Sequence, residues 1–505
     1  MTEYEVIITS DRTMMSNHHG KEFLGFLATG PAINMPEKVW MWLAAPKLGV
    51  DEFGRPKEAP YGLRKVEAKL VDEGFKAAII DPDYIHKYLK SMKVLMVGHH
   101  DFFAYGPPSI GWWVITGKEP VNRLSLMRFM RSEVVRKVKE RGVKIIVGGP
   151  GAWQWLWELD FWRECGVDLV IEGEVERVIG DVVRKALNGE ELPDYMYVGP
   201  SDTPSVGEIP VIKGGSVNGL VEIMRGCPRG CKFCSVTLRP LRFIPLDKIC
   251  EEIKVNLRAG VRSVILHSED VLLYGADGIR PKPDPLIKLH SVVRSLVKDG
   301  NIAWSHVSLS ALKYAEEEYK LVSNIVNNYI RVNKQVFIGV EVGIETGSSR
   351  LAKIIMPAKA APYPVEVWPD VVEDAFRIMH ENYIIPAATL ILGLPGEESD
   401  DVVKTAELLD RLRPYRSIIV PMFFVPLGTL KYKDWFRKHN IGREHIDVML
   451  KTFYHTVYWA EEILEKFYLR EPYLVPVKLG LKLFIQYVKW RMSKLKPEIE
   501  AIIRA

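Results

Sequence analysis

Cysteine is scarce in this chain: five residues in 505, at Cys165, Cys227, Cys231, Cys234 and Cys250. So few cannot build a disulfide framework, and free thiols point to a reducing compartment, the cytoplasm. No cysteine follows Cys250, so a mechanism that needs a thiol late in the chain is not served. Charge of one sign is lacking too. Lys and Arg total 68 against 64 Asp and Glu, a net charge of +4. That argues against wholesale coating of nucleic acid and leaves a local basic patch open. No apolar run reaches the roughly 20 residues of a membrane span. The start, Met1-Thr2-Glu3-Tyr4-Glu5, is polar and acidic and does not read as a signal peptide. No repeat or low-complexity tract stands out. What is present is an ordinary globular composition, 47% hydrophobic and 26% charged, on a chain long enough for more than one domain.

Three of the cysteines stand together, in Met224-Arg225-Gly226-Cys227-Pro228-Arg229-Gly230-Cys231-Lys232-Phe233-Cys234. The spacing is C-x3-C-x2-C, with an aromatic residue before the last cysteine. Three thiolates this close can cap three irons of a cubane cluster and leave the fourth iron open to a chelating cofactor. The alternative is zinc, which takes a fourth ligand at short range, usually through paired C-x-x-C units. His267, the nearest downstream histidine, fits no such spacing.

The segment resembles the cluster loop of the radical S-adenosylmethionine (SAM) enzymes. The resemblance implies that Cys227, Cys231 and Cys234 hold a [4Fe-4S] cluster whose open iron is chelated by the amino and carboxyl groups of SAM. An electron from a donor such as ferredoxin or flavodoxin then breaks a C–S bond of SAM. The resulting 5′-deoxyadenosyl radical takes hydrogen from an unactivated carbon. Cys165 and Cys250 alone cannot hold an auxiliary cluster, which weighs against a methylthiotransferase.

Residues 1–200 alternate strands, at 5–9, 77–80, 94–97, 143–147 and 169–172, with helical stretches such as 61–73 and 124–141. This alternation predicts an α/β domain with a parallel, Rossmann-like sheet. A strand runs into Val147-Gly148-Gly149-Pro150-Gly151, where glycines allow a close approach to the backbone. Later comes Asp168-Leu169-Val170-Ile171-Glu172-Gly173-Glu174-Val175-Glu176. Both segments resemble the cobalamin-binding domain of B12-dependent radical SAM enzymes. The resemblance places Gly149, Gly173 and Glu174 at a corrin. It also brings there the loops 10–16, with Ser16, and 98–107, with His99 and His100. The D-x-H-x-x-G motif that supplies a cobalt ligand in other B12 proteins is absent. Trp153, Trp155, Trp157 and Trp162 lie on an expected helix and read as packing rather than as a platform for bases.

Residues 216–430 repeat strand and helix again: a strand at 219–224, the cluster loop, a helix at 246–259 and a strand at 263–267. They are expected to form the partial (β/α) barrel of the radical SAM fold. Ser268-Glu269-Asp270 leaves the second strand, and the resemblance puts Glu269 or Asp270 on the SAM amino group; the alternative is a helix-capping acid. Gly343-Ile344-Glu345-Thr346-Gly347 resembles the family's ribose strand, with Glu345 on the two hydroxyls, since a carboxylate has two acceptor oxygens. A buried glutamate without a partner would be costly, so its place on an apolar strand argues for a ligand. Gly393-Leu394-Pro395-Gly396-Glu397 resembles the segment whose backbone runs along the adenine, with Gly393 at its start.

Residues 431–505 read as a helical extension. Within it, 478–494 is a cationic helix rich in leucine and aromatics. It suits an anionic membrane surface, an RNA backbone, or packing of its apolar side with its lysines in water. The leading expectation is a cytoplasmic, cobalamin-dependent radical SAM methyltransferase acting on an unactivated carbon, with a peripheral membrane location as an option. A second reading keeps the radical and drops B12, giving coupling, cyclisation or oxidation of a lipid, RNA, peptide or small metabolite. A third is a non-catalytic Fe–S or tRNA-binding module. Substrate identity does not follow from the sequence.

Overall fold

The computed structural model describes residues 3–32, 35–436, 440–469 and 475–504. Met1 and Thr2, read above as no signal peptide, lie outside the described residues, as do 437–439, 470–474 and 505 of the expected helical tail. The chain forms two compact units. The first comprises Met1–Ile223 with Arg242–Ile265, the second Met224–Leu241 with Leu266–Ala505.

In the first unit, β1 (Val6–Thr9), β2 (Ala77–Ile79), β3 (Val94–Gly98), β4 (Lys144–Gly148), β5 (Leu169–Glu172) and β6 (Tyr195–Tyr197) form one sheet in the order β2-β1-β3-β4-β5-β6. All its pairings are parallel. The strands are short, nearly continuous apolar runs because helices cover both faces. Alternate residues serve opposite cores. Ile7, Leu95, Val97, Ile145 and Val170 pack on one side, and Val6, Ile8, Val94, Met96 and Ile171 on the other.

Two expected elements differ. The helix expected over 124–141 is broken into α2 (Val121–Met130) and α3 (Glu133–Glu140), because the Ser132 side chain accepts from the Val135 amide and starts a new helix. The tryptophan stretch is a short 3-10 turn, Ala152–Trp157. Trp155 is fully buried, edge-on to Phe102 and Phe103, as the packing reading requires, whereas Trp157 is exposed and departs from it, and Trp162 lies on the next helix, Leu159–Cys165. Helices α1 (Tyr61–Asp72) and α5 (Leu246–Arg258) both belong to this unit. Between them lies a buried ion pair, with Lys65 Nζ 2.5 Å from Glu252 Oε1 and Tyr61 donating to Oε2 at 2.6 Å. On the same side, α4 (Ile179–Leu187) buries Val182 and Val183.

The strand expected at 219–224 is two pieces, Leu220–Glu222 and Met224–Arg225. In the second unit, β9 (Ile338–Glu345), β10 (Ile384–Leu392) and β11 (Ile418–Phe423) form a parallel sheet. Ahead of it come β7 (Val264–His267), within which the unit boundary falls, and β8 (Ile302–Trp304). Helices α6 (Leu309–Tyr319), α7 (Trp368–Glu381) and α8 (Ser399–Leu412) connect the strands in the α/β manner. Along β9, Val340, Val342 and Ile344 are buried, while Gly339, Glu341 and Gly343 are partly exposed. The strand therefore has a core face and an open face.

Helices α9 (Arg443–Ile463) and α10 (Val475–Arg504) belong to the second unit. α10 turns its lysines inward: Lys478 and Lys482 reach Glu465, and Lys489 reaches Glu461. Leu479, Leu483, Phe484, Tyr487 and Trp490 are exposed instead, while Ile485 is buried, so the helix packs only part of its apolar side. Acidic residues at the end of α9 and just beyond it draw the lysines inward. Among the described residues, no helix is long and apolar enough to cross a membrane.

Candidate cofactor sites

The cysteine loop is held by backbone contacts that leave its thiols available. Gly226 has φ 87°, and a Cβ there would strike the carbonyls of Pro240 and Arg239 at 2.5 and 2.9 Å. Thr237 Oγ1 donates to the carbonyls of Cys231 (3.2 Å) and Cys234 (2.9 Å). The Lys232 amide donates to Ile355 O, and Lys232 O accepts from the Thr429 amide, each at 2.9 Å. All five cysteines are free. Burial pushes the Cys227 thiol up to about 11 and the Cys234 thiol up to about 12, with Asp270 and Glu269 respectively adding to the shift. Three protonated thiols on one preformed loop suit a cubane that takes one thiolate on each of three irons, each thiol giving up its proton on loading.

Arg229, inside the cysteine loop, is 3% exposed. Its Nη1 donates to the carbonyls of Ala358, Lys359 and Ala361 at 3.3, 3.2 and 2.9 Å, and its Nη2 lies 3.4 Å from Asp270 Oδ2. Asp270 Oδ2 also accepts from the Ser308 hydroxyl. Burial raises the Asp270 carboxyl above the usual range. The two acids that the sequence could not separate thus differ. Asp270 is a buried clamp between the cysteine loop and the start of α6, with only Oδ1 unpartnered, whereas Glu269 is partly exposed.

Glu345 ends β9 with φ 62° at a bulge where pairing to β10 slips between Gly343 and Glu345. A positive φ in a non-glycine residue at the end of a strand is strained and re-aims the side chain. Its carboxylate is 6% exposed and has partners: Lys359 Nζ at 2.5 Å and Thr389 Oγ1 at 3.2 Å. The premise that it stands alone on an apolar strand is therefore corrected. The burial is compensated within the protein, and a ligand would share the carboxylate with Lys359. A Cβ on Gly343 would come within 1.9 Å of Glu345 Oε1 and 2.5 Å of Lys359 Nζ, so only glycine leaves room for the pair. Gly393 (φ 77°) has the ring of Phe436 2.0 Å from where its Cβ would be. The backbone edge expected to face adenine therefore packs on an aromatic ring. Its amide donates to Glu397 Oε1 at 2.8 Å, which also lies 2.9 Å from His445 Nε2.

In the first unit the strand order reverses at β1 and β3, and the loops 10–16 and 99–106 leave the carboxyl ends of those two strands. That is the switch point at which ligands enter such sheets. Ser10 Oγ is buried there without a hydrogen-bond partner, an acceptor and donor left for a ligand. The individual residues expected at a corrin have other commitments. His99 Nδ1 accepts from the Asp101 amide at 2.8 Å, and Nε2 lies 3.0 Å from Asp11 Oδ1. His99 thus orders the loop through Nδ1, with Nε2 turned to the buried Asp11 carboxylate. His100, exposed and stacked on His99, sets Nδ1 3.0 Å from Met14 Sδ. Ser16 Oγ accepts from the His18 amide. A Cβ on Gly149 would meet His99 O at 2.8 Å, and one on Gly173 would meet Val198 O at 2.3 Å. These two glycines are required by protein backbone packed against them. Glu174 is bound by Arg242 at 2.7 and 2.9 Å with both side chains buried.

Arg229, Lys359, Thr389 and Asp11 were not singled out from the sequence. Arg229 lies inside the cysteine motif and had a local signal. Lys359 and Thr389 reach Glu345 from separate segments and had none.

Residues 221–409 match the family model of the Radical SAM superfamily. The chain carries a radical SAM domain. An uncharacterized protein of Methanopyrus kandleri is 27% identical over 196 residues, 38% of this chain and 34% of that protein. The chain therefore spans about a third of that relative's length. A probable threonylcarbamoyladenosine tRNA methylthiotransferase of Archaeoglobus fulgidus is 23% identical over 344 residues, 66% of this chain and 74% of its own. Among solved structures, the radical SAM methyltransferase TsrM of Kitasatospora setae, with cobalamin and a [4Fe-4S] cluster bound, superposes with a TM-score of 0.53 at 13% identity. The match covers 84% of this chain and 76% of that one. The likeness establishes the fold of the regions before and after the start of the radical SAM domain.

Proposed function

We propose that this protein is a cobalamin-dependent radical SAM methyltransferase acting on an unactivated carbon. The observation that carries the reading is the fold: a switch-point α/β sheet followed by a radical SAM domain, matched over 84% of the chain to a cobalamin-bound methyltransferase. When bound, a [4Fe-4S] cluster supplies the electron that cleaves SAM, and a corrin supplies a methyl carrier. The protein's own residues do the rest. Cys227, Cys231 and Cys234 hold iron. Glu345 accepts ribose hydroxyls, with Lys359 neutralising its charge. Glu269 accepts from the SAM amino group. Ser10 and the loops 10–16 and 99–106 receive the corrin. A small one-electron protein of the ferredoxin or flavodoxin kind is the proposed donor, and the outward apolar side of α10 is the surface left for lipid or RNA.

The curated relatives named as methylthiotransferases do not change this reading. Cys165 is buried in the core of the first unit and Cys250 lies on α5, so two thiols remain where a further cluster asks for more. One observation favours the B12-independent reading: His99, Glu174, Gly149 and Gly173 all have protein partners. Anaerobic reconstitution with iron, sulfide and hydroxocobalamin separates the two. A retained corrin absorption band and a product heavier by CH2 support methylation. A protein that makes 5′-deoxyadenosine but holds no corrin supports the second reading. No 5′-deoxyadenosine with SAM and dithionite overturns both.

A further inference from the structure

Partway along β9, on its open face, is a polar pair that neither cluster nor SAM accounts for. His306 Nε2 lies 2.9 Å from Glu341 Oε2, with 36% and 42% of the two side chains exposed. Backbone bonds fix the pairing from both sides: the Glu341 amide donates to Ser305 O at 2.8 Å, and the Val307 amide to Glu341 O at 3.1 Å. Ser305 is itself tied to the end of β7, its amide to Leu266 O at 3.0 Å and its hydroxyl to Ser268 O at 2.9 Å. The His267 ring stands 6.2 Å from that of His306. The rest of the open face is small. It carries Gly339 and Gly343 on β9 and Ala387 on β10, and a Cβ on Gly339 would meet nothing nearer than Tyr468 Oη at 3.6 Å. Glu341 is four residues before Glu345, roughly 13 Å at about 3.3 Å per residue. The Glu345 carboxylate folds back against Gly343, two residues from Glu341, so the pair borders the expected ribose site without being part of it.

We infer that Glu341, locked by His306, is the substrate anchor of this protein, and that it takes a cationic N–H donor, a protonated amine or amidinium. The inference rests on the reading of the second unit as a SAM-cleaving domain with its open face toward substrate. One carboxylate oxygen is held by His306, and the Glu341 side chain remains 42% exposed. The titratable groups around the pair are Glu341, Glu269, His267 and His306. Burial opposes the His306 charge, yet attraction and hydrogen bonding from Glu341, with Glu269 adding, raise it to about 9. The exposed Glu341 carboxylate offers an acceptor to a cation and none of the donors an anion needs. A charge-assisted N–H···O bond to a prepositioned carboxylate is the strong kind.

The probe set is benzylammonium, benzyl alcohol and benzoate, matched in shape and differing in charge. Each is titrated into the cluster-loaded full chain labelled with 13C-histidine, with the His306 signal assigned by His306→Asn. The expected order of affinity is ammonium, then alcohol, then benzoate. Glu341→Gln is expected to weaken benzylammonium about tenfold and to bring the His306 titration midpoint down from about 9. Circular dichroism and the cluster absorption band check that the variant is folded. Binding of benzoate as tight as benzylammonium, no binding of any probe, or an unchanged affinity in Glu341→Gln would each overturn the inference. So would an equal loss of SAM affinity, which would assign the pair to SAM. Absence of 5′-deoxyadenosine from the unmodified protein would instead sink the underlying reading, so the two failures are distinct.

Discussion

Lys359 sets its ammonium 2.5 Å from Glu345 Oε1, and its own carbonyl accepts from Arg229 in the cysteine loop at 3.2 Å. One residue thus joins the loop proposed to hold iron to the carboxylate proposed to hold ribose. Burial opposes the Lys359 charge, but Glu345 and then Cys231 more than offset it, so the ammonium is held above its ordinary range. Removing one partner of a buried pair leaves an uncompensated charge. Lys359→Met is therefore expected to cost about 3–5 kcal/mol, and Lys359→Met with Glu345→Gln appreciably less. Urea denaturation of the single and double variants checks this. Glu345→Gln alone keeps the iron content and weakens SAM binding, measured by equilibrium dialysis, by about tenfold or more.

The cysteine thiols give a pH prediction. Cys227 and Cys234 have values raised to about 11 and about 12, burial being the chief cause. A raised value means that the neutral thiol dominates at neutral pH. Iron-free protein should then react slowly with iodoacetamide at these two positions at pH 8 and quickly only as pH approaches 11, while an unfolded control reacts near pH 8.5. Cluster assembly displaces those protons, so apparent iron affinity rises with pH. Peptide mapping of alkylated protein reads the first effect and iron titration at two pH values the second. Fast alkylation at pH 8 in the folded protein contradicts the burial argument.

Asp11 gives a prediction of opposite sign. Burial would raise its carboxyl, but attraction to His99 and hydrogen bonds from His99, Ser125 and Thr13 lower it to about 2 from an ordinary 3.8. A group depressed in the folded state contributes stability that is present above its unfolded value and lost as pH falls through the folded one. The contribution is about 2 kcal/mol near neutrality and disappears between about pH 4 and pH 2. Asp11→Asn should be destabilised by that order at pH 7, with the gap to the unmodified protein closing on acidification. Denaturant midpoints at several pH values check it.

The reach of the sequence divides along physical lines. The cysteine loop was legible because its donors are contiguous and their spacing is itself the chemistry. The parallel sheet of the first unit was legible because strands buried on both faces read as apolar runs, as in Val6–Thr9 and Leu169–Glu172. The break at Ser132 was not, because a capping serine inside an otherwise periodic stretch looks like any polar surface position. Glu345 was found by its motif, while its partners were not. Lys359 and Thr389 reach it only after the chain has folded back, and no local pattern records that. Gly149 and Gly173 were read as ligand cradles for the same reason: sequence shows that a Cβ is missing but not which atoms fill the space.

Gly343 offers the sharpest test of the proposed ribose site. It lies two residues before Glu345 on the open face of β9, and a Cβ there would fall 1.9 Å from Glu345 Oε1 and 2.5 Å from Lys359 Nζ. Both obstacles are side-chain ends, so the strand itself has no backbone reason to fail. The methyl group must instead push the buried carboxylate off its position or split it from the ammonium. Gly343→Ala is therefore expected to fold, to retain iron through the cysteine loop, and to lose SAM affinity and 5′-deoxyadenosine formation by about tenfold or more, since a displacement of about an ångström from a required geometry is enough to do so. Gly339→Ala, four residues upstream, is the control, because its Cβ would meet only Tyr468 Oη at 3.6 Å. Iron content, thermal unfolding and SAM cleavage measured side by side give the comparison. Equal SAM cleavage in the two variants would show that the Glu345–Lys359 pair does not define where the cofactor's ribose lies.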